Sequence, residues 1–295
     1  MTQATTQTNT AAHRSQAILD RAAPWIWLSV AAAILAVAGS VIGIADRQIY
    51  AALTPVFLPQ ALAQDIANLL IVAPLWLVCA ILALRGSLRA YLVWLGVLIF
   101  TAYNYVIYTF SIPFGPLFLL WVAVLGMCIY AVIGGIVTID HRAVAARFTS
   151  PRAVKVAAWL LIITAILFGL LWLSEDVPAL LSGTLPQSVI DMALPTNPVH
   201  ILDLAFFLPA VIATGVLLLK HKAIAYALAP SLIVFLILTG VPILLTPVVQ
   251  VARGEAAVWG VVIPIGTLAV VLLGVLAWLL ATIKSMPDTE IGTTK

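Results

Sequence analysis

Residues 66–110 read IANLLIVAPLWLVCAILAL, then RGSLR, then AYLVWLGVLIFTAYNYVIYTF. Two long apolar runs, 66–84 and 90–110, flank a five-residue linker that holds Arg85 and Arg89. About 20 apolar residues of helix cross a hydrocarbon core. Lipid offers the backbone no hydrogen-bond partners, so each such run must be helical. Six more runs of this kind occur, at about 25–45, 116–138, 156–174, 201–219, 223–245 and 257–283. The whole chain agrees with this pair of segments. Of its 295 residues 64% are hydrophobic and 8% charged, and its mean hydropathy is +1.18. A soluble domain is about half apolar and a quarter charged. A soluble globular protein and a disordered chain are thereby excluded. A nucleic-acid binder is excluded too, because 14 basic residues and a net charge of +3 make no stripe that could track phosphates.

The expected fold is an all-α, polytopic bundle of eight transmembrane helices over 25–283, with no soluble domain. A disordered cytoplasmic tail is expected at 1–24, which is Thr/Gln/Ala-rich, and a cytoplasmic tail at 284–295. Pro74, Gly96, Gly134, Pro209, Pro230 and Pro242 fall inside the runs, where they signal kinks and close helix contacts. Ala36-Val37-Ala38 resembles a signal-peptidase site. The apolar run continues through Val41 to Ile44, which favours an uncleaved first helix over cleavage after Ala38.

Charge fixes the orientation independently of hydropathy. Arg14, Arg21, Arg85, Arg89, Arg142, Arg147, Arg152, Lys155, Lys220, Lys222, Lys284 and Lys295 all fall on one side of an eight-span chain. Arg47 and Arg253 fall on the other. The positive-inside rule puts both termini in the cytoplasm, in a plasma (inner) membrane. Seven acidic residues lie outside: Asp46, Asp65, Glu175, Asp176, Asp191, Asp203 and Glu255. Such a field attracts cations.

The second half echoes the first. Pro74, Arg85, Ala90 and Tyr91 match Pro209, Lys220, Ala225 and Tyr226 at a constant spacing of 135 residues. The same spacing sets Asp65 on His200 and Asn68 on Asp203. The halves enter the membrane in the same sense, so the expected arrangement is a 4+4 parallel repeat, with a site at the repeat interface.

Polar residues gather at the outer ends of the spans. Asp65 and Asn68 are i,i+3 at the start of span two and share a face. Asp65 also suits the positive end of that helix dipole. Span three ends in Tyr103-Asn104-Tyr105-Val106-Ile107-Tyr108. Interfacial tyrosines are ordinary there, but the amide of Asn104 needs a partner in lipid. The longest outer loop is expected from Glu175 to about His200. Asn197 or Thr196 caps the next helix, with Pro198 in its first turn. His200 and Asp203 then share a face near the interface, and an ionisable residue at that depth is a functional candidate. A His200–Asp203 pair could carry a proton.

The candidate catalytic residues are therefore His200, Asp203, Asp65 and Glu175. The candidate ligand-binding residues are Asn104, Tyr105, Tyr108, Asn68 and Asn197. The same His200, Asp203, Asp65 and Glu175 form at best a weak metal set, because no H-E-x-x-H or paired-histidine motif occurs. No metal and no cofactor are expected. A phosphate-binding G-x-x-x-x-G-K-[ST] and a G-x-S-x-G are absent, no lysine lies inside a span, and no span carries serial arginines. Cys79 and Cys128 lie in apolar runs and read as small buried hydrophobes.

The stretches Tyr103-Asn104-Tyr105 through Leu117-Phe118-Leu119-Leu120, Pro195 through Phe206 and Gln64-Asp65 resemble those of multi-spanning bacterial membrane proteins with no assigned activity. The resemblance covers most of the chain after residue 25. It implies that the outer polar residues travel together, and it implies no reaction. Here Phe114-Gly115-Pro116 precedes Leu117, where those proteins carry an asparagine.

Three functions fit. The first is an outward-facing polar pocket that binds or moves a cation, proton or small solute. The second is a membrane-embedded enzyme on a lipid or lipid-linked substrate at the outer leaflet, with His200 as base. The third is an accessory or structural subunit. The lipid bilayer is the one partner the sequence specifies, and a protein partner or homo-oligomer stays open. Few polar residues (Thr101, Thr164 and Thr214 among them) lie in the inner half, which counts against full translocation.

Overall fold

The computed structural model describes residues 2–284. Its helices include eight long enough and apolar enough to cross a membrane. We label these spans α1 (Arg21–Ala45), α2 (Phe57–Leu84), α3 (Leu88–Ser111), α4 (Phe118–Thr138), α5 (Pro151–Ser182), α6 (Pro198–Leu219), α7 (Ala223–Ala252) and α8 (Trp259–Ala281). Short helices, His141–Ala145 and Gln187–Met192, ride in the connections after α4 and α5. Leu119, Ile263 and Val270 are at least 70% exposed. Such outward apolar surface is what a lipid-facing bundle presents.

Three expected boundaries differ. Helix is continuous from Thr2 into α1, where a disordered tail is expected at 1–24. A helix already nucleated by the apolar span propagates cheaply through residues such as Ala, Gln and Arg. Residues 285–295 of the C-terminal tail lie outside the described residues. The start of α2 takes in 57–65 as helix, and α5 continues past 174 to Ser182. Gly183, at φ +68°, then ends α5 in the left-handed conformation that glycine adopts without strain. Glu175 and Asp176 are therefore helical residues of α5 rather than loop residues.

Inside the bundle, polar side chains tie helices together. The buried Ser29 of α1 donates to the Ile26 carbonyl (2.7 Å) and accepts from Trp76 Nε1 of α2 (3.2 Å) and Trp94 Nε1 of α3 (2.9 Å). One serine thus satisfies two indole N–H groups that would otherwise be orphaned in lipid. Helix α1 runs unbroken past Ala38 to Ala45 and packs along α4.

The two halves repeat. In the first, α1 packs on α2 and α4, and α3 on α2 and α4; in the second, α5 packs on α6 and α8, and α7 on α6 and α8. Five residues of α2, Asn68–Val72, widen into a π-turn, and so do five of α6, Asp203–Phe207. These turns lie 135 residues apart. Each has a proline just beyond it, Pro74 and Pro209. Proline has no N–H for the carbonyl four residues back, and the ladder re-forms with i→i+5 bonds, Ala73 to Asn68 and Leu208 to Asp203. Arg85 and Lys220 then cap α2 and α6 with near-identical dihedrals (φ −84°, ψ 7° and φ −86°, ψ 10°). At the centre, α3 crosses α7. A Cβ on Gly96 would collide with the carbonyl of Ser231, and Ser231 Oγ donates to the Leu92 carbonyl at 2.8 Å. Gly96 and Ser231 are equivalent under the 135-residue spacing. Equivalent residues meeting each other are what a two-fold axis between halves produces.

Candidate functional site

Two polar clusters sit at the end of the bundle away from the termini, one in each half. In the first half the start of α2 presents Asp65, which is 1% exposed. Tyr50, from the α1–α2 connection, donates to Asp65 Oδ2 at 2.7 Å, and Tyr108, from the end of α3, donates to Oδ1 at 2.9 Å. Burial, followed by the charge of Asp65, pushes the Tyr50 hydroxyl above its ordinary value, so it stays a donor. Gly43 leaves the space for this pair, since a Cβ there would meet both Asp65 Oδ2 and the Tyr50 hydroxyl. One turn on, Asn68 accepts from Gln64 (2.9 Å) and donates to Ser40 Oγ (3.2 Å). Tyr105 stacks on Tyr108, and Trp121 closes edge-on over Tyr108. Asp65 is thus satisfied and walled in by aromatic rings.

The second half is built differently at the equivalent place. His200, 4% exposed, sits in the first turn of α6, where Asn197 accepts from the N–H groups of Val199 and His200. Its Nδ1 is 2.9 Å from Asp176 Oδ1, and its Nε2 is 3.7 Å from Glu175 Oε2. Glu175 also accepts from the Ser188 N–H at 2.8 Å, which fastens the short helix Gln187–Met192 to α5. Trp172, one turn before Glu175, stacks on the His200 ring with centroids 4.6 Å apart, and its Nε1 donates to Asp203 Oδ2 at 2.8 Å.

This corrects the expected His200–Asp203 pair. The partners of His200 come from α5, and the hydrogen bond to Asp203 comes from Trp172. The reason lies in α5. Once it remains helical through 182, Trp172, Glu175 and Asp176 stand at i, i+3 and i+4 on one face, opposite α6.

Two cavities flank the Trp172–His200 stack. The outer one, about 430 Å³, is bordered by Asp176, Asn197 and His200 together with Leu180, Val189 and Leu204. The inner one, about 160 Å³, lies among α3, α5, α6, α7 and α8, with Gln64 of α2 at its edge. Asp203, Trp172, Tyr103, Asn104 and Thr239 contribute to its wall, and most of the rest is apolar. Its aromatic side is a mutually packed trio. Tyr103 meets Phe207 edge-on at 4.9 Å, Phe207 stacks on Phe235 at 4.8 Å, and Tyr103 lies 5.3 Å from Phe235. The Tyr103 hydroxyl and Asn104 Nδ2 are buried without a hydrogen-bond partner. Asp203 is the polar group nearest to meeting that hydroxyl, close enough for a weak side-chain interaction. Thr239, at the position equivalent to Asn104, spends its hydroxyl on the Phe235 carbonyl. Ile243 borders this cavity where the first half has Tyr108 filling the equivalent space.

The structure therefore brings His200 and Glu175 together and holds Asp203 one residue away, through Trp172. Asn104 joins Asp203 around the inner cavity. It sets Asp65, Asn68, Tyr105 and Tyr108 in the other half, and it uses Asn197 as a helix cap. Among the described residues no group of three His, Cys, Asp or Glu side chains could hold a metal ion. Sequence reasoning missed Trp172, Asp176, Tyr50 and Tyr103 as site residues. The signal for the first two was their helical spacing with Glu175. Tyr50 joins Asp65 only through tertiary packing. Comparison of the chain with protein-family models, with curated proteins and with solved structures finds no match.

Proposed function

We propose that this integral membrane protein binds a small solute from the outer side of a plasma membrane, at the inner cavity beside Asp203, with both termini in the cytoplasm. One observation carries this reading: an apolar-walled cavity holds a carboxylate, the Tyr103 hydroxyl beside it and the buried, partnerless amide nitrogen of Asn104. Buried polar groups are almost always hydrogen-bonded, and a concave apolar site with a few convergent polar groups is the usual form of a ligand pocket. Asp176, Glu175 and Asp203 outnumber the single His200, so the entrance favours cations. Binding is better supported than passage. On the cytoplasmic side of the cavity the polar side chains are few, and the hydroxyl of Thr101 is spent on the Val97 carbonyl.

A second reading, an enzyme at the outer leaflet, draws on the Asp176–His200 pair beside the outer cavity. It ranks lower because both ring nitrogens lie against carboxylates, leaving none turned to a substrate proton.

Cysteine labelling tests the first reading. In a Cys79→Ala/Cys128→Ala background, Thr239→Cys should react with a membrane-impermeant thiol reagent added outside intact cells, and the added substitution Leu268→Trp should block the reaction. Labelling only from the cytoplasmic side, or none at all, would contradict an outward-facing pocket.

A further inference from the structure

The inner cavity has a chemistry specific enough to name the class of its ligand, an inference that rests on the pocket reading above. Three unlike groups of its polar wall matter most for a ligand. Asp203 is a carboxylate, 7% exposed, whose Oδ2 takes one N–H from Trp172. A buried carboxylate is costly unless an opposite charge or further donors meet it. No Lys or Arg borders the cavity, so a cationic ligand would give Asp203 an opposite charge there that the cavity wall itself lacks. Asn104 Nδ2 is a donor without an acceptor, and the Tyr103 hydroxyl can donate or accept. The remaining wall is aromatic and aliphatic, with Tyr103, Phe235 and Trp172 presenting rings of the kind that attract cations.

We propose that the cavity binds an amphipathic organic cation: a protonated amine that also carries a hydrogen-bond-accepting oxygen, on a small apolar body. The ammonium donates to Asp203. The oxygen accepts from Asn104 Nδ2. The apolar body lies against Phe235 and the α8 side chains Ile265 and Leu268. A simple hydrocarbon would leave Asn104 Nδ2 without an acceptor and Asp203 without an opposite charge. An organic acid would set two carboxylates side by side.

Three probes of closely similar shape separate the contributions: 2-amino-1-phenylethanol has both groups, 2-phenylethylamine lacks the hydroxyl, and 1-phenylethanol keeps the hydroxyl and lacks the amine. Binding is measured by calorimetry on the full chain in lipid nanodiscs, against empty nanodiscs. The amino alcohol should bind about tenfold or more tighter than 1-phenylethanol, as a lost charged hydrogen bond implies. Asp203→Asn should erase that margin. Asn104→Leu should bring the amino alcohol down to the level of 2-phenylethylamine. Leu268→Trp, which fills the cavity from α8 and leaves every polar group in place, should abolish binding with the melting temperature unchanged. It keeps the test decisive if Asp203→Asn fails to fold.

Equal binding of the amine and the alcohol, binding that survives Leu268→Trp, or no binding of any probe would overturn the cation assignment. The pocket reading fails separately, through the labelling of Thr239→Cys. A cavity that labels from outside yet ignores these amines keeps the pocket and discards the ligand class.

Discussion

Two carboxylates at repeat-related ends of the bundle meet opposite fates. Asp65 takes a tyrosine hydroxyl on each oxygen and is closed over by Tyr105 and Trp121. Each of its carboxylate oxygens has a donor, so we assign Asp65 a structural role. Tyr108→Phe leaves one Asp65 oxygen unmet and should cost about 1–3 kcal/mol of stability. A lowered melting temperature with unchanged Thr239→Cys labelling would confirm that division of labour. A loss of labelling at full stability would instead make Asp65 part of the binding site. Asp203 has one indole donor and a cavity beside it. The sequence marked both aspartates, because an acid inside an apolar run stands out. It could not rank them, since Tyr50 lies 15 residues from Asp65 and Trp172 lies 31 from Asp203.

The α2 and α6 helices show what local sequence could and could not reveal. Their spans were legible from hydropathy, and the matched Pro74 and Pro209 pointed to kinks. The π-turns that precede those prolines follow from the missing proline N–H. They turn Asn68 toward Ser40 and Asp203 toward Trp172. Pro209→Ala restores the donor and should let α6 close into regular helix, rotating Asp203 away from Trp172. Binding of 2-amino-1-phenylethanol should then weaken by about tenfold, the worth of a misplaced charged hydrogen bond. Pro74→Ala, the same change in the other half, should leave that affinity alone. Equal effects from the two would show that the π-turn serves packing only. The extension of α5 to Ser182 was not legible, because Ser174-Glu175-Asp176 followed by Pro178 reads as a break. The helix carries Pro178 inside it without interruption.

At the scale of the whole molecule, a pseudo-two-fold axis through the Gly96–Ser231 crossing relates the half that holds Asp65 between tyrosines to the half whose Asp203 borders the inner cavity. The hydropathy and charge patterns already contained eight spans and the 135-residue spacing. Only the packed structure separates the halves, through Tyr108 filling the space that Ile243 leaves open. A binding role requires that cavity to be an occupied site. A cryo-EM map of the protein, extracted from its own membrane without denaturation, tests this most directly. Non-protein density is expected between Asp203, Asn104 and Tyr103. A collapsed space in which the Tyr103 hydroxyl and Asn104 Nδ2 have found partners within the chain would contradict a binding role.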